Sequence, residues 1–390
     1  MAAQPLSESA RLAAVQAPVI PVIAELIARN PGVISLGQGV VHYGPPPEVR
    51  AGIEEFWTSP DNHKYKPVTG LPALIDAFQK KLSEENGFHA PSESLIVTAG
   101  SNMGFLNALL AICDPGDEVI LPTPCYFNHE MAITMANCKA VLVETEAGYQ
   151  LNIEQIEKGI TPRTKAIVTI SPNNPTGAVY PEASLRAVNE LCAKRGLFHI
   201  SDDAYEYFVH DNVKHFSARS IEGSGERTIA LYSLSKSYGF ASWRIGCMVV
   251  PPQLIAAVKK VQDTNLICAS VIAQYAALGA LKAGRSYCEP LIREMGRVRD
   301  RVWDAVTACR GVLPGVKPQG GFYVLMKCET QKSSMQLARE LIEQHGVATI
   351  PGNAFGITDA CALRIGYGAL QGATVDEGVR RLVNGLKELL

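Results

Sequence analysis

The sequence predicts an α/β protein, with a mostly parallel seven-stranded sheet in a large unit and a smaller α+β unit after it. Three observations carry this. Seven short apolar runs alternate with helical patterns between residues 95 and 250. That alternation marks βαβ units whose sheet is buried on both faces. After about residue 285 the pattern changes to a charged helix followed by dispersed strands. A chain of 390 residues, 47% hydrophobic and 19% charged, is long enough for two or three domain-sized units and a sizeable core.

The elements follow in order. "VIPVIAELIARN" near the N-terminus reads as a helix; core packing suits it, and a position near an entrance would suit a lid. "LIVT" (95–98) is a strand before the helical "SNMGFLNALLAIC". "EVIL" (118–121) precedes the helical "YFNHEMAITMANC". "AVLVE" (140–144) and "KAIVTI" (165–170) are strands. The helical "PEASLRAVNELCAKRG" leads into "LFHIS" (197–201). "TIALYS" (228–233) and "RIGCMVV" (244–250) complete the set. Their short connection predicts an antiparallel edge strand for the last run. Beyond it lie the helical "EPLIREMGRVRDRVWDAVTAC", then "GGFYVLM", a helix near 334–345, "VATIPG" and "ALRIGYG". The expected division is an N-terminal segment, 1–45, packing with the small unit; a large unit, 46–285; and a small C-terminal unit, 286–390.

Bulk properties exclude several classes. A net charge of -2 without like-charge blocks gives no footprint for nucleic acid or an acidic membrane face. No apolar stretch reaches the roughly 18 residues of a membrane span, and the N-terminus lacks a secretion signal. The ten cysteines are scattered without a CxxC pair, which predicts reduced thiols in a cytoplasmic protein. The eight histidines show no metal-ligand spacing, so no metal is expected. No GxGxxG or GxSxG motif supports a nicotinamide site or a hydrolase elbow. His199 reads as a core histidine with a backbone partner, and Cys125 as a buried structural thiol.

The chemistry gathers at strand ends, where open α/β sheets bind ligands. "TAGSN" (98–102) closes a strand and opens a helix, whose free N–H groups suit a phosphate. "SPNNPTG" (171–177) sets Asn174 in a proline-flanked turn, and "SDDAYEYF" (201–208) puts Asp202 at a strand end with Tyr205 close behind. Each alone is also an ordinary turn or helix cap. "LYSLSKSYGFASWRIG" (231–246) places Lys236 among small residues and hydroxyls. A lysine in such a pocket can have a lowered pKa and form a Schiff base with an aldehyde. Ser233, Ser235 and Arg244 beside it suit a phosphate. Phosphate ligands, a Schiff-base lysine and an aspartate for a pyridinium nitrogen together meet the needs of pyridoxal 5'-phosphate.

With "YKPVTGLPAL", "VTAGSN", "PTPCYF", "SPNNPTG", "SDDAYEYF", "SLSKSYGFASWRIG", "IPGNAFG" and "LRIGYG", the chain resembles fold-type-I, class-I aminotransferases over nearly its whole length. The resemblance implies that Lys236 carries the cofactor. It implies that Asn174 and Tyr205 bond the ring oxygen and that Asp202 pairs with the ring nitrogen. Gly100, Ser101 and Asn102 are implied at the phosphate, with Ser233, Ser235 and Arg244. Tyr126 would stack on the ring. Arg364 would clamp the substrate carboxylate, and Gly39 would lie beside the substrate. A homodimer with shared sites is implied, Tyr65 of one subunit touching the phosphate of the other. The substrates implied are an amino acid and a 2-oxo acid.

"GQGVVHYGPP", "CYFNHEMA", "DDAYEYFVHD" and "QDTNLICASVIAQ" are most similar to the plant and cyanobacterial branch acting on aromatic amino acids and methionine. Ala241, Ser242, Asn102 and Asp203 depart from common family choices without removing a required group. No cation for a distal carboxylate can be assigned, whereas His42, Tyr43, Tyr126, Phe127 and Phe355 lie in motifs near the expected site and can line an apolar pocket. The alternatives are an aspartate or dicarboxylate aminotransferase, a cysteine-conjugate β-lyase on the same cofactor, and a binding protein that kept the fold.

Overall fold

A computed structural model describes residues 8–313 and 315–390; the first seven residues of the N-terminal segment lie outside them. Its strands, in chain order, are β1 (Ile34–Ser35), β2 (Leu95–Thr98), β3 (Glu118–Thr123), β4 (Lys139–Glu144), β5 (Thr164–Ile170), β6 (Phe198–Asp202), β7 (Thr228–Ser233) and β8 (Gly246–Val249). They continue with β9 (Val312–Leu313), β10 (Tyr323–Cys328), β11 (Val347–Ala348), β12 (Ile350–Pro351) and β13 (Cys361–Gly366).

Seven strands form the large sheet in the order β2-β8-β7-β6-β5-β3-β4. β3 to β7 pair in parallel with their neighbours, and β8 runs antiparallel to both β7 and β2. The expected antiparallel strand is therefore present, but it is not at the edge: β2 takes the edge and β8 lies inside. Gly246 allows a close fit between β7 and the turn after β2, since a Cβ there would stand 2.6 Å from the Tyr232 carbonyl oxygen and 3.0 Å from the Ser101 amide.

The helices Ser101–Ile112, Phe127–Met135 and Glu182–Arg195 flank this sheet as the sequence predicts. Further helices, Glu48–Phe56, Pro72–Glu85, Ile255–Asn265 and Val271–Ala283, were not legible. Val271–Ala283 shows why: it is apolar nearly all round and buries Ala273, Ala276, Ala277 and Ala280, so it has no polar face to set a period.

The smaller sheet is antiparallel, in the order β12-β13-β10-β9. The helices Arg285–Thr307, Ser334–His345 and Gly372–Leu389 pack around it. β1 pairs in parallel with β11, which ties the N-terminal stretch to the C-terminal part of the chain. Among the described residues no helix is long and apolar enough to cross a membrane. The C-terminal ends of β2, β5, β6 and β7 open on one side of the large sheet, and Thr98, Ile170, Asp202 and Ser233 mark that rim.

Candidate active site

Two connected cavities lie over the rim, one of about 120 Å³ among Ser101, Asp202 and Arg244, and one of about 520 Å³ reaching outward. Tyr126, Asn174, Tyr205 and Lys236 line both.

The inner cavity is built for an anion. Gly100, at φ +79, ends the turn after β2 and opens the helix Ser101–Ile112, whose first N–H groups have no partner within the helix. A Cβ on Gly100 would be strained at this φ and would press on Arg244 Nη2 at 2.5 Å, so glycine leaves the guanidinium its room. Arg244 itself is held at φ +56, donating to Ala241 O (2.9 Å), Ser235 Oγ (3.3 Å) and Ala99 O (3.3 Å). Among the described residues it has no carboxylate partner. Ser233 caps the short helix Leu234–Ser237, its Oγ accepting from the Ser235 amide (3.2 Å), which fixes the turn bearing Lys236.

Lys236 Nζ donates to the Gly39 carbonyl at 2.6 Å. Its pKa is brought down to about 8 by burial, then by the positive charges of Arg244 and Arg364, against the opposing pull of Asp202. Asp202 ends β6 with Oδ1 accepting from the Ala204 amide (3.0 Å). Its Oδ2 lies 3.1 Å from Nε2 of His129, whose ring stacks on Phe105 at 3.9 Å. The neighbouring Asp203 turns away, accepting from Ser217 (2.7 Å) and Ser201 (2.9 Å). Only the first of the two aspartates lines the cavity.

A chain of polar side chains crosses the outer cavity. Arg364 Nη1 donates to Asn174 Oδ1 (2.8 Å), Asn174 Nδ2 to Tyr205 Oη (3.4 Å), and Tyr205 Oη meets Tyr323 Oη at 2.8 Å. Burial drives the Tyr205 phenol well above its ordinary range. Arg364 is 2% exposed, sandwiched between Tyr323 (4.4 Å) and Phe355 (4.9 Å), with Nη2 on the Gly37 carbonyl. Its Nε has no partner. A buried guanidinium with an unused N–H and, among the described residues, no carboxylate partner is a fork waiting for one. Tyr126 precedes the helix Phe127–Met135, its Oη accepting from Asn128 Nδ2 at 2.7 Å.

Gly39, Gly100, Ser101, Asn102, Tyr126, Asn174, Asp202, Tyr205, Ser233, Ser235, Lys236, Arg244 and Arg364 thus converge. The anion cradle, the amine of lowered pKa and the carboxylate opposite them fit a phosphorylated pyridine aldehyde. Tyr65 does not reach this chain's site; it is 80% exposed. Of the residues expected in an apolar pocket, Tyr126 and Phe127 line the cavity and Phe355 lies behind Arg364. His42 and Tyr43 do not line it. Tyr43 Oη bonds the Lys236 and Ser237 carbonyls, and His42 Nδ1 contacts the Gly368 carbonyl. They brace backbone because their loop passes beneath the lysine turn.

Sequence reading missed His129 and Tyr323, and it favoured the core over the entrance for the helix Val19–Arg29, whose Ile20, Ile23, Ala24 and Ile27 wall the outer cavity. A histidine three residues after Tyr126 was the available signal for the first. His199 has side-chain partners, Thr169 (2.8 Å) and Asn189 (3.3 Å), in place of the expected backbone one, and burial lowers its pKa to about 4. Cys125 is buried and pushed up to about 12.

Residues 31–382 match the family model described as aminotransferase class I and II. The chain is 33% identical to an aspartate aminotransferase of Pyrococcus abyssi, over 98% of this chain and 99% of that one. It is equally 33% identical to aromatic-amino-acid aminotransferase 2 of Thermococcus litoralis, over 92% of each. A solved Thermus thermophilus aspartate aminotransferase double mutant superposes with a TM-score of 0.90 at 31% identity, covering 98% of this chain and 100% of that one.

Proposed function

Since the chain belongs to the class I and II aminotransferases and is a pyridoxal-phosphate-dependent transaminase of fold type I, we propose that its amino donor is an aromatic amino acid or methionine. The observation that carries this is the wall of the 520 Å³ cavity. Ile20, Ile23, Ala24, Ile27, Phe127 and Ile350 form its apolar side, and Lys236 and Arg364 are the cations lining it. Arg364 is needed for the α-carboxylate. A dicarboxylate donor would bring a second carboxylate against isoleucine, with no charge from this chain to meet it. This agrees with the sequence likeness to the plant and cyanobacterial branch.

Each residue has a task in this reading. Ser101, Asn102, Ser233, Ser235, Arg244 and the helix N-terminus would hold the phosphate. Tyr126 would cover one face of the ring. Asp202, positioned by Ala204 N–H and lying against His129, would hold a proton on the ring nitrogen by charge. Asn174 and Tyr205 would donate to the ring oxygen. When bound, pyridoxal phosphate supplies an electron-withdrawing ring that makes the substrate Cα–H acidic. Arg364 forks the substrate carboxylate and so fixes which Cα bond faces Lys236. Lys236 Nζ, with its pKa near 8, takes the Cα proton as general base. The large unit, 46–285, supplies the cradle, and the small unit, 286–390, supplies Arg364. A partner subunit supplies Tyr65.

The test is a half-reaction screen on the purified holoenzyme. Single amino acids are added without an oxo acid, and loss of the visible absorbance is timed. Tyrosine, phenylalanine, tryptophan or methionine should bleach it at least about tenfold faster than aspartate, the difference expected for one unmatched charge. Faster bleaching by aspartate, the donor in the Pyrococcus abyssi relative's name, would overturn the aromatic reading and leave the transaminase standing.

A further inference from the structure

Ten free cysteines are spread along the chain, and the fold brings two of them face to face. Cys328 ends β10 and Cys361 begins β13, directly opposite in the antiparallel register. Tyr367 N–H donates to the Phe322 carbonyl on the same ladder (3.0 Å). Counting by twos from there puts Cys328 and Cys361 in a hydrogen-bonded pair, with Cα atoms about 5.5 Å apart. That separation lies within the span of a disulfide. Both side chains are 6% exposed, yet the pair sits at the end of the sheet, beside exposed Glu329 and close to exposed Asp359.

We propose that Cys328 and Cys361 are a peroxide-oxidisable dithiol that closes reversibly to a cross-strand disulfide. The surroundings divide the labour between the sulfurs. Cys361 is lowered below the ordinary thiol range by a hydrogen bond from Cys328, then by Ser334 and the positive charge of Lys332, against burial. Ser334 is fixed at the start of its helix and accepts from the Ala362 amide (3.0 Å), and Lys332 is anchored to Glu340 (2.6 Å). Cys328 is raised, first by that same shared hydrogen bond and then by burial. Ser334, bonded to the amide next to Cys361, and Lys332 just before it lie on the Cys361 side of the pair, which makes Cys361 the attacking thiolate and Cys328 the resolving thiol. Cys309 is the other thiol acting on Cys328, but among the described residues no set of three His, Cys, Asp or Glu side chains can hold a metal. Cys113 and Cys138 also lie together, and they provide the contrast. Burial raises both, and Asp117 adds to it, so neither has a cation strong enough to release a thiolate.

The chemistry balances. The Cys361 thiolate attacks one peroxide oxygen, the O–O bond breaks, and the departing hydroxide takes up a proton to leave as water. Cys361 is now a sulfenic acid. Cys328 sulfur attacks it, the S–O bond breaks, and the second oxygen leaves as water with the Cys328 proton. Two thiols have lost two electrons to one peroxide. A small thiol reverses the bond by exchange.

The test treats the full-length holoenzyme with hydrogen peroxide, alkylates the remaining thiols and maps the peptides without reductant. The Cys328 and Cys361 peptides should appear joined, two of the ten thiols should be lost, and dithiothreitol should restore both. In Cys328→Ser, Cys361 should instead be trapped by dimedone as a sulfenic acid and then pass to a sulfinic acid that dithiothreitol does not reverse. Full alkylation of Cys361 after peroxide, or a Cys113–Cys138 link forming first, would overturn the proposal. Cys361 reaching the sulfinic acid as fast in the unaltered enzyme as in Cys328→Ser would overturn the resolving role.

Discussion

Lys236 is costly to bury as a cation, and that cost is measurable. Its pKa falls from 10.5 to about 8 in the folded chain. Below pH 8 both folded and unfolded chains carry the proton, so the folded state bears the full penalty, on the order of 3 kcal/mol. Between pH 8 and 10.5 the unfolded chain binds more protons, so stability rises with pH. Lys236→Met should therefore abolish transamination and yet raise the denaturation midpoint of the cofactor-free protein at neutral pH. The gain should shrink to nothing above pH 10.5, as urea titrations at two pH values would reveal. At this scale the sequence was highly legible: Lys236, Asp202 and Asn174 sit in spaced motifs at or just past strand ends, and Arg364 in a motif within β13. His129 and Tyr323 were not, because nothing local distinguishes a histidine against Asp202 from one in the core. The pairing of Cys328 with Cys361 depends on strand register, which spacing does not encode.

The helix Val19–Arg29 does two jobs with one apolar stripe. Val19, Ile23 and Leu26 are buried in it, while Ile20 is 39% exposed and faces the cavity with Ile27. Sequence pattern identified the helix but could not tell a core-facing isoleucine from a ligand-facing one, since both avoid water. Ile20→Arg should place a cation on the apolar wall with little loss of packing. The ratio of aspartate to phenylalanine half-reaction rates should then rise about tenfold or more, the effect of one charge-assisted hydrogen bond. An unchanged ratio would mean that substrate side chains point elsewhere. The seven strands of the large sheet were legible within one or two residues because βαβ punctuation is strong, whereas the two-residue β1 and β9 were not. The sheet position of β8 was not, because edge or interior depends on what β2 does after a long detour through other strands.

At the scale of the molecule, Tyr65 and Trp57, 80% and 65% exposed, are large aromatics left in solvent by a single chain. If Tyr65 completes the site of a second copy, Lys236→Ala and Tyr65→Phe subunits mixed into hybrids should recover about half of the unaltered rate, since one site is then whole. Activity no higher than the mean of the two parent forms would place Tyr65 elsewhere. The site is also spread unevenly along the chain: its anion cradle is complete by Gly246, whereas the carboxylate fork arrives only with Arg364, which reaches back to the Gly37 carbonyl. This sets a chronology during synthesis. A chain emerging N-terminus first owns the pieces of a vitamin-binding pocket well before it can recognise a substrate.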